Sequence, residues 1–212
     1  MIKKRYIKYM SLYDEKPKKE IDEDIIPDQV YSNVSEQLAT QMDFTDSVIY
    51  FSDDITENTL ADLMIRIRSI LNQRDDVSKD DPINIIINSS GGDIYEMLGI
   101  IDYIETLSVK VNTICRGKAF SAAAIILACG TGTRMISKRS TVMFHQSSSM
   151  LDGKMSDLES YLTNVKNIEN TVYELLAERT KKDAKWWSDH MKSDFFISVD
   201  KLIEYGVIDQ II

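Results

Sequence analysis

The sequence predicts an α/β protein built on a parallel β-sheet, and three observations support this fold class. The apolar run Ile83–Asn88 is as long as a strand and as continuous as strands buried in parallel sheets usually are. Apolar residues recur at helical spacing from Leu60 to Leu71 and again from Ile94 to Leu107. Strand, tight turn and helix repeat three times, which implies right-handed crossovers between parallel strands.

The elements alternate along the chain, and turn-forming or capping residues separate them. The predicted strands are Val48–Phe51, Ile83–Asn88, Val109–Cys115, Arg134–Ile136, Thr141–Phe144 and Val207–Ile211. The predicted helices are Thr56–Asn72, a segment from Gly92 to Leu107, a small-residue segment with Ser121 in its first turn, Met155–Thr180, Ala184–Lys192 and Val199–Tyr205. Thr56 is the expected N-cap of the first helix, and Gly206 is expected to close the last one.

Composition indicates one sizeable domain with an ordinary core. The chain has 212 residues, of which 43% are hydrophobic and 28% charged, as in soluble globular proteins. Its net charge of −9 argues against a nucleic-acid partner, and no apolar run is long enough to span a membrane. Cys115 and Cys129 lie in apolar surroundings, which predicts buried thiols in a reducing compartment. We therefore expect a cytoplasmic protein that needs no metal or cofactor.

Residues 1–46 differ from the folded body predicted over residues 47–212. Basic residues open the chain, acidic residues cluster between Glu20 and Asp28, and Pro17 and Pro27 interrupt any helix. Apolar residues show no clear period in this segment. It is therefore predicted to be a charged extension that is mobile or ordered by a partner.

Two loops leave the predicted sheet at the carboxyl ends of its strands, where ligands of such sheets bind. The loop Ser89–Gly92 contains a glycine pair, which lets the backbone approach a ligand and direct N–H groups at it. A tight strand-to-helix turn would need the same glycines. The loop Gly117–Ser121 brings a serine to a helix start, where a developing oxyanion is favoured. The ordinary alternative is a serine N-cap.

Histidine is scarce, so few residues can act as a general base. His145 follows the strand Thr141–Phe144 at the ligand edge, whereas His190 lies on a polar helix face and is expected to be solvated. A serine needs such a base to become a nucleophile, and the base needs an orienting carboxylate. Asp194 is a candidate because the apolar residues after it would hold it near the core edge. A structural histidine and a capping aspartate are the alternatives.

Five segments in register resemble the Clp protease proteolytic subunit, a family of self-compartmentalising serine peptidases. The segments are Ile87–Gly92, Gly117–Ala122, Val142–Gln146, Asp194–Ser198 and Glu204–Asp209. The resemblance covers residues 47–212 and implies a ClpP/crotonase-like spiral of repeated β-β-α units with a protruding handle helix. It implies that Ser121 is the nucleophile, His145 the base and Asp194 its orienter. The amides of Gly92 and Ala122 would form the oxyanion hole.

The predicted helix Met155–Thr180 carries an apolar stripe that is long for one small core, which suggests packing between subunits. The stripe consists of Leu158, Leu162, Val165, Ile168, Val172 and Leu175. By resemblance, this helix joins two seven-membered rings into a hollow barrel that degrades unfolded polypeptides. A hexameric Clp ATPase would supply these substrates.

Several positions depart from the family pattern. Ser90 replaces a usual proline and is expected to loosen the glycine turn, and Phe120 is expected to reshape the substrate pocket. Ser147–Gly153 replaces a proline and a glycine-rich strand that guides substrate. Ile86 and Thr106 replace aromatic residues of the cleft that receives the ATPase. These departures fit viral or accessory members of the family.

The sequence leaves several functions open. The leading one is an endopeptidase that acts through an acyl-enzyme as the proteolytic subunit of an ATP-dependent protease. The alternatives are an ATPase-independent protease of phage head maturation and a ring subunit that has lost its chemistry. An acyl-CoA enzyme of the crotonase type would share the fold and the paired amides, but it would leave the serine–histidine pair unexplained.

Overall fold

Strands and helices alternate along the part of the chain that the computed structural model describes, residues 47–75, 78, 80–147 and 154–212. The strands are β1 (Val48–Phe51), β2 (Ile83–Ser89), β3 (Val111–Phe120), β4 (Arg134–Ile136), β5 (Thr141–Phe144), β6 (Phe195–Ile197) and β7 (Gln210–Ile211). The helices are α1 (Glu57–Gln73), α2 (Ile94–Thr106), α3 (Ala122–Ala128), α4 (Met155–Arg179), α5 (Ala184–His190) and α6 (Val199–Tyr205). The predicted extension, residues 1–46, lies outside the described residues.

One mostly parallel sheet connects these elements, which confirms the predicted α/β class. Five strands lie in the order β1-β2-β3-β4-β7, and each neighbouring pair is parallel. Strand β5 adds to β3 in parallel, and β6 then pairs with β5 in the antiparallel direction. The sequence did not predict β6, a strand of three residues that periodicity could not reveal.

Strand β3 extends to Phe120, beyond the predicted end at Cys115, and pairs with two different strands along its length. Its first half pairs with β4 through Thr113–Cys115, and its second half pairs with β5 through Lys118–Phe120. The loop predicted at Gly117 is instead a bend within the strand, where φ is +101°. Other residues would be strained at this φ, and a Cβ at Gly117 would also lie 2.5 Å from Oδ1 of Asn88, so the bend favours glycine. The bend carries the strand on to Ser121.

The core lies between the helices and one face of the sheet. Along β2 the residues alternate, so that Ile85 and Ile87 are buried and Ile86 is only half-buried. Beside Ile86, Tyr50 of β1 is 64% exposed. The continuous apolar run of β2 therefore does not mark a strand covered on both faces. Helix α3 is buried along its whole length, which its alanines permit by close approach to its neighbours.

Helix ends follow the capping signals of the sequence. Thr56 caps α1 through a capping box with Thr59, as predicted. Gly206 has φ +73° and ends α6, also as predicted. The last strand is shorter than predicted and begins only at Gln210. Val207 and Ile208, which were expected in the strand, are buried in the turn that precedes it.

Both cysteines are buried and free, in agreement with the prediction of buried thiols. Burial raises the pKa of Cys115 to about 11 and that of Cys129 to about 12. Both therefore remain protonated and poor nucleophiles at neutral pH. Of the described helices, none is both long and apolar enough to cross a bilayer.

Candidate active site

Ser121 lies where β3 ends and α3 begins, in a backbone conformation that serine rarely adopts. Its φ is +54° and its ψ is −126°, and its N–H donates to the carbonyl oxygen of Met143 at 2.8 Å. The side chain occupies the N-cap position but accepts no hydrogen bond from the helix. Ser121 is therefore the N-cap residue by position, but its side chain does not cap the helix. Such strain costs about 1–3 kcal/mol and concentrates at functional sites.

The glycine pair of the first loop packs directly against this turn. Gly91 has φ +97°, and a Cβ there would lie 2.9 Å from Cβ of Ser121. Gly92 pairs with Ile55, whose backbone would collide with a Cβ at Gly92. A side chain at Gly91 would therefore collide with the Ser121 turn, and one at Gly92 would collide with the backbone of Ile55. Within the described residues, the N–H groups of Gly92 and Ala122 donate to no acceptor, so both remain available to a ligand.

His145 and Asp194 meet because β5 and β6 are antiparallel. Phe144 at the end of β5 is opposite Phe195 at the start of β6. His145, just after Phe144, therefore lies beside Asp194, just before Phe195. Nδ1 of His145 lies 3.1 Å from Oδ1 of Asp194. The side chains are 28% and 62% exposed, so water screens this pair and it adds little to stability. Its clearest effect is to fix the orientation of the imidazole.

Four of the five predicted site residues line one cavity of about 300 Å³. They are Ser121, His145, Gly92 and Ala122. Asp194 is not part of the lining and reaches the cavity only through His145. Among the described residues, Oγ of Ser121 has no hydrogen-bond partner, so the serine and the imidazole share the cavity without a bond. Catalytic hydrogen bonds are often long or absent before substrate binds.

Helix α4 supplies a wall of the cavity that the search for site residues missed. Val165, Ile168 and Val172 line it, and so does Glu169, which lies among them on the same helix face. Oε1 of Glu169 accepts a hydrogen bond from the Ser147 N–H at 3.0 Å. The signal was present in the sequence, because an acidic residue interrupts an apolar stripe at helical spacing.

Two departures from the family pattern make contacts that the sequence did not predict. Oγ of Ser90 accepts a hydrogen bond from Nζ of Lys118 at 2.7 Å, which ties the glycine turn to β3. Phe120 packs edge-to-face on Phe196 with ring centroids 5.8 Å apart, and it is not part of the cavity lining. The expected looser turn and reshaped substrate pocket remain predictions. The segment over residues 148–153 lies outside the described residues.

His190 is exposed and stacks on a neighbouring aromatic ring. Its ring stacks on Trp186 at a centroid distance of 3.9 Å, and its Nδ1 lies 2.8 Å from the Trp186 carbonyl oxygen. The residue is not part of the cavity lining. The prediction of a surface histidine is confirmed.

Comparisons with known proteins agree on one family. The Clp protease family model matches residues 30–212. The ATP-dependent Clp protease proteolytic subunit of Bacteroides thetaiotaomicron is 35% identical over 76% of this chain and 70% of its own length. Subunit 1 of Prochlorococcus marinus is 30% identical over 78% of this chain and 83% of its own length. The chain therefore belongs to the Clp protease family, with its ClpP/crotonase-like fold, and its relatives are peptidase subunits.

Proposed function

We propose that the protein is a serine endopeptidase in which Ser121 is the nucleophile, His145 the general base and Asp194 the residue that orients His145. The observation that carries this proposal is the shared cavity, where a strained serine, a carboxylate-bound imidazole and two unengaged amides meet. A structural serine would not need its positive φ, and a structural histidine would not need an opening to a cavity.

The proposed reaction follows from these positions. Oγ of Ser121 attacks the carbonyl carbon of a peptide bond, and Nε2 of His145 takes the hydroxyl proton. The carbonyl oxygen gains negative charge and binds the N–H groups of Gly92 and Ala122. When the intermediate collapses, the amine leaves with the proton from His145, and an acyl-enzyme remains. Water, deprotonated by His145, then releases the acid and restores the serine.

Assembly into a ring chamber is the second part of the proposal. Leu162 of α4 is 46% exposed, and Tyr161 beside it is also exposed, so the first half of this helix presents apolar surface. Val172, in the second half, is buried within the subunit. The uncovered half fits a contact between subunits, which by resemblance forms a double heptameric ring. Such a chamber would admit unfolded polypeptides and exclude folded ones, in the cytoplasm.

A Clp-type ATPase is the proposed source of substrate, since the relatives are named as subunits of ATP-dependent proteases. The exposed face of Tyr50 and the half-buried Ile86 offer an apolar surface, but Thr106 donates to the carbonyl oxygen of Tyr103 and adds no aromatic anchor. Residues 1–46 are proposed to gate the entry pore. An enzyme of the head-maturation type would degrade a long unfolded substrate without ATPase and ATP.

Deletion of residues 1–46 tests the proposed gate. If the segment blocks entry, the truncated protein should cleave the long substrate faster on its own.

The decisive experiment uses a fluorophosphonate probe, which reacts only with activated serines. We expect labelling of the native protein at Ser121, and neither labelling nor peptide hydrolysis by Ser121→Ala. Ser198→Ala is the matched control, because Ser198 is also an N-cap residue whose side chain caps nothing. Undiminished hydrolysis by Ser121→Ala would refute the assignment. A native protein that is folded but never labelled would favour the inactive ring subunit.

A further inference from the structure

The cavity beside Ser121 combines apolar walls with negative charge. Its apolar lining includes Met97, Ile125, Val165, Ile168, Val172 and Met191. Asp93 and Glu169 also line it, and the described lining contains neither lysine nor arginine. Its volume of about 300 Å³ is at the low end for ligand sites, which suits a single side chain.

The two carboxylates are engaged to different extents. Asp93 is the N-cap of α2, and its Oδ1 accepts from the N–H groups of Tyr95 and Glu96. Its negative charge therefore stabilises the N-terminus of α2. The oxygens of Glu169 accept one bond each, from the Ser147 N–H at 3.0 Å and from Nε2 of Gln146 at 3.4 Å. A carboxylate offers about four acceptor sites, so Glu169 retains capacity for a cation.

Glu169 lines the cavity and is partly shielded from bulk solvent. The side chain is half-buried on α4 between the apolar residues Ile168 and Val172. Burial, and then the negative charge of Glu169, raise the pKa of the neighbouring Tyr173, which lines the same cavity. A carboxylate in this position attracts a cation more strongly than one on the open surface.

We propose that Glu169 makes the enzyme selective for peptide bonds that follow lysine or arginine. The inference rests on the proposed function, because the scissile carbonyl must lie between Ser121 and the amides of Gly92 and Ala122. The side chain on the acyl side of that carbonyl then enters the adjoining cavity. Lysine and arginine match its surface, since both have an apolar stem and a cationic head.

The test compares coumarin amides of one short peptide that differ only in the residue before the cleaved bond. Lysine and norleucine are the critical pair, because they share a stem and differ in the ammonium group. We expect kcat/KM to be about tenfold to a hundredfold higher for lysine in the native protein. In Glu169→Gln, which keeps an acceptor for Ser147, the ratio should fall to about one or below while norleucine cleavage persists.

Glu174→Gln is the matched control, since Glu174 lies on the same helix but is exposed and outside the cavity lining. It should retain the lysine preference. Raising the salt concentration should weaken that preference in the native protein. A native preference for norleucine, or a lysine preference that survives in Glu169→Gln, would overturn the inference.

The outcomes also separate the inference from the proposed function. If the fluorophosphonate probe labels Ser121 but the lysine peptide is not cleaved, the selectivity is wrong and the serine chemistry stands. If the probe leaves Ser121 unlabelled and every peptide intact, the proposed function fails and the selectivity fails with it.

Discussion

Gly91 and Ser121 are so close that the second residue depends on the first having no side chain. A Cβ on Gly91 would lie 2.6 Å from the carbonyl oxygen of Phe120 and 2.9 Å from Cβ of Ser121. These atoms belong to the backbone or lie next to it, so they cannot move aside as the end of a flexible side chain can. The glycine turn and the serine turn are therefore packed as one unit.

The first prediction concerns this packing. Gly91→Ala should lower the free energy of unfolding by about 2–4 kcal/mol, because it adds a clash to the strain of φ +97°. Thermal denaturation measures the loss, and peptide hydrolysis should fall because Ser121 is displaced. Gly99→Ala in α2 is the control, since its nearest neighbour is the flexible end of Leu60 and its effect should be small. Equal stability of the two variants would contradict the argument.

The second prediction concerns the orientation of His145. Asp194→Asn should lower kcat by roughly four orders of magnitude, because an amide favours the wrong imidazole tautomer. The melting temperature should stay nearly constant, since Asp194 is 62% exposed and its pair with His145 contributes little stability. Asp200→Asn on α6 is the control and should retain full turnover. A variant Asp194→Asn with native kcat would remove Asp194 from the proposed triad.

The third prediction concerns assembly through α4. If the proposed ring forms, Leu162→Asp should convert it into smaller species, because the change places a charge on the exposed apolar half of the helix. Asn170→Asp adds a charge to an exposed polar position of the same helix and should leave assembly intact. Sedimentation velocity distinguishes the species. A native protein that sediments as a monomer at micromolar concentration would refute the ring proposal.

The fourth prediction concerns acid stability. Hydrogen bonds from Arg134 hold the pKa of Asp209 below its ordinary value. A lowered folded-state pKa stabilises the protein above the unfolded-state pKa, and this contribution is lost as the pH falls through the folded-state pKa. The stability difference between native protein and Asp209→Asn should therefore shrink as the pH falls below the ordinary pKa of aspartate, about 4.

Denaturant titrations at several pH values measure this difference. Asp81→Asn is the control, because Asp81 is exposed and its variant should track the native protein throughout. A difference between native protein and Asp209→Asn that grows toward low pH would contradict the assigned role of the Arg134 pair.

Local patterns predicted most of the fold, because its helices and long strands carry strong periodicity. The capping box of Thr56, the αL glycine Gly206 and the alternation of strands with helices all follow from neighbouring residues. Strand β6 does not, because Phe195–Ile197 has three residues and is fixed by its pairing with β5, about fifty positions earlier. The meeting of His145 and Asp194 depends on that pairing, so spacing could suggest the pair but not derive it.

The backbone at Ser121 was equally beyond the reach of local patterns. Its positive φ occurs at the end of β3, beyond the bend at Gly117, where the Ser121 N–H donates to the carbonyl oxygen of Met143. Serine has no preference for this conformation, so the tertiary contacts impose it. Glu169 was missed for another reason, since an acid within an apolar stripe is ordinarily taken as a solvent-facing position.

At position 121, stability and the proposed activity favour different residues. Glycine would adopt φ +54° without the steric cost that serine bears, so Ser121→Gly is a change that the fold favours and the proposed chemistry forbids. In a lineage where peptide hydrolysis no longer mattered, this position would drift toward glycine while the surrounding turn persisted. Under the proposed function, Ser121→Gly should therefore be at least as stable as the native protein and inactive.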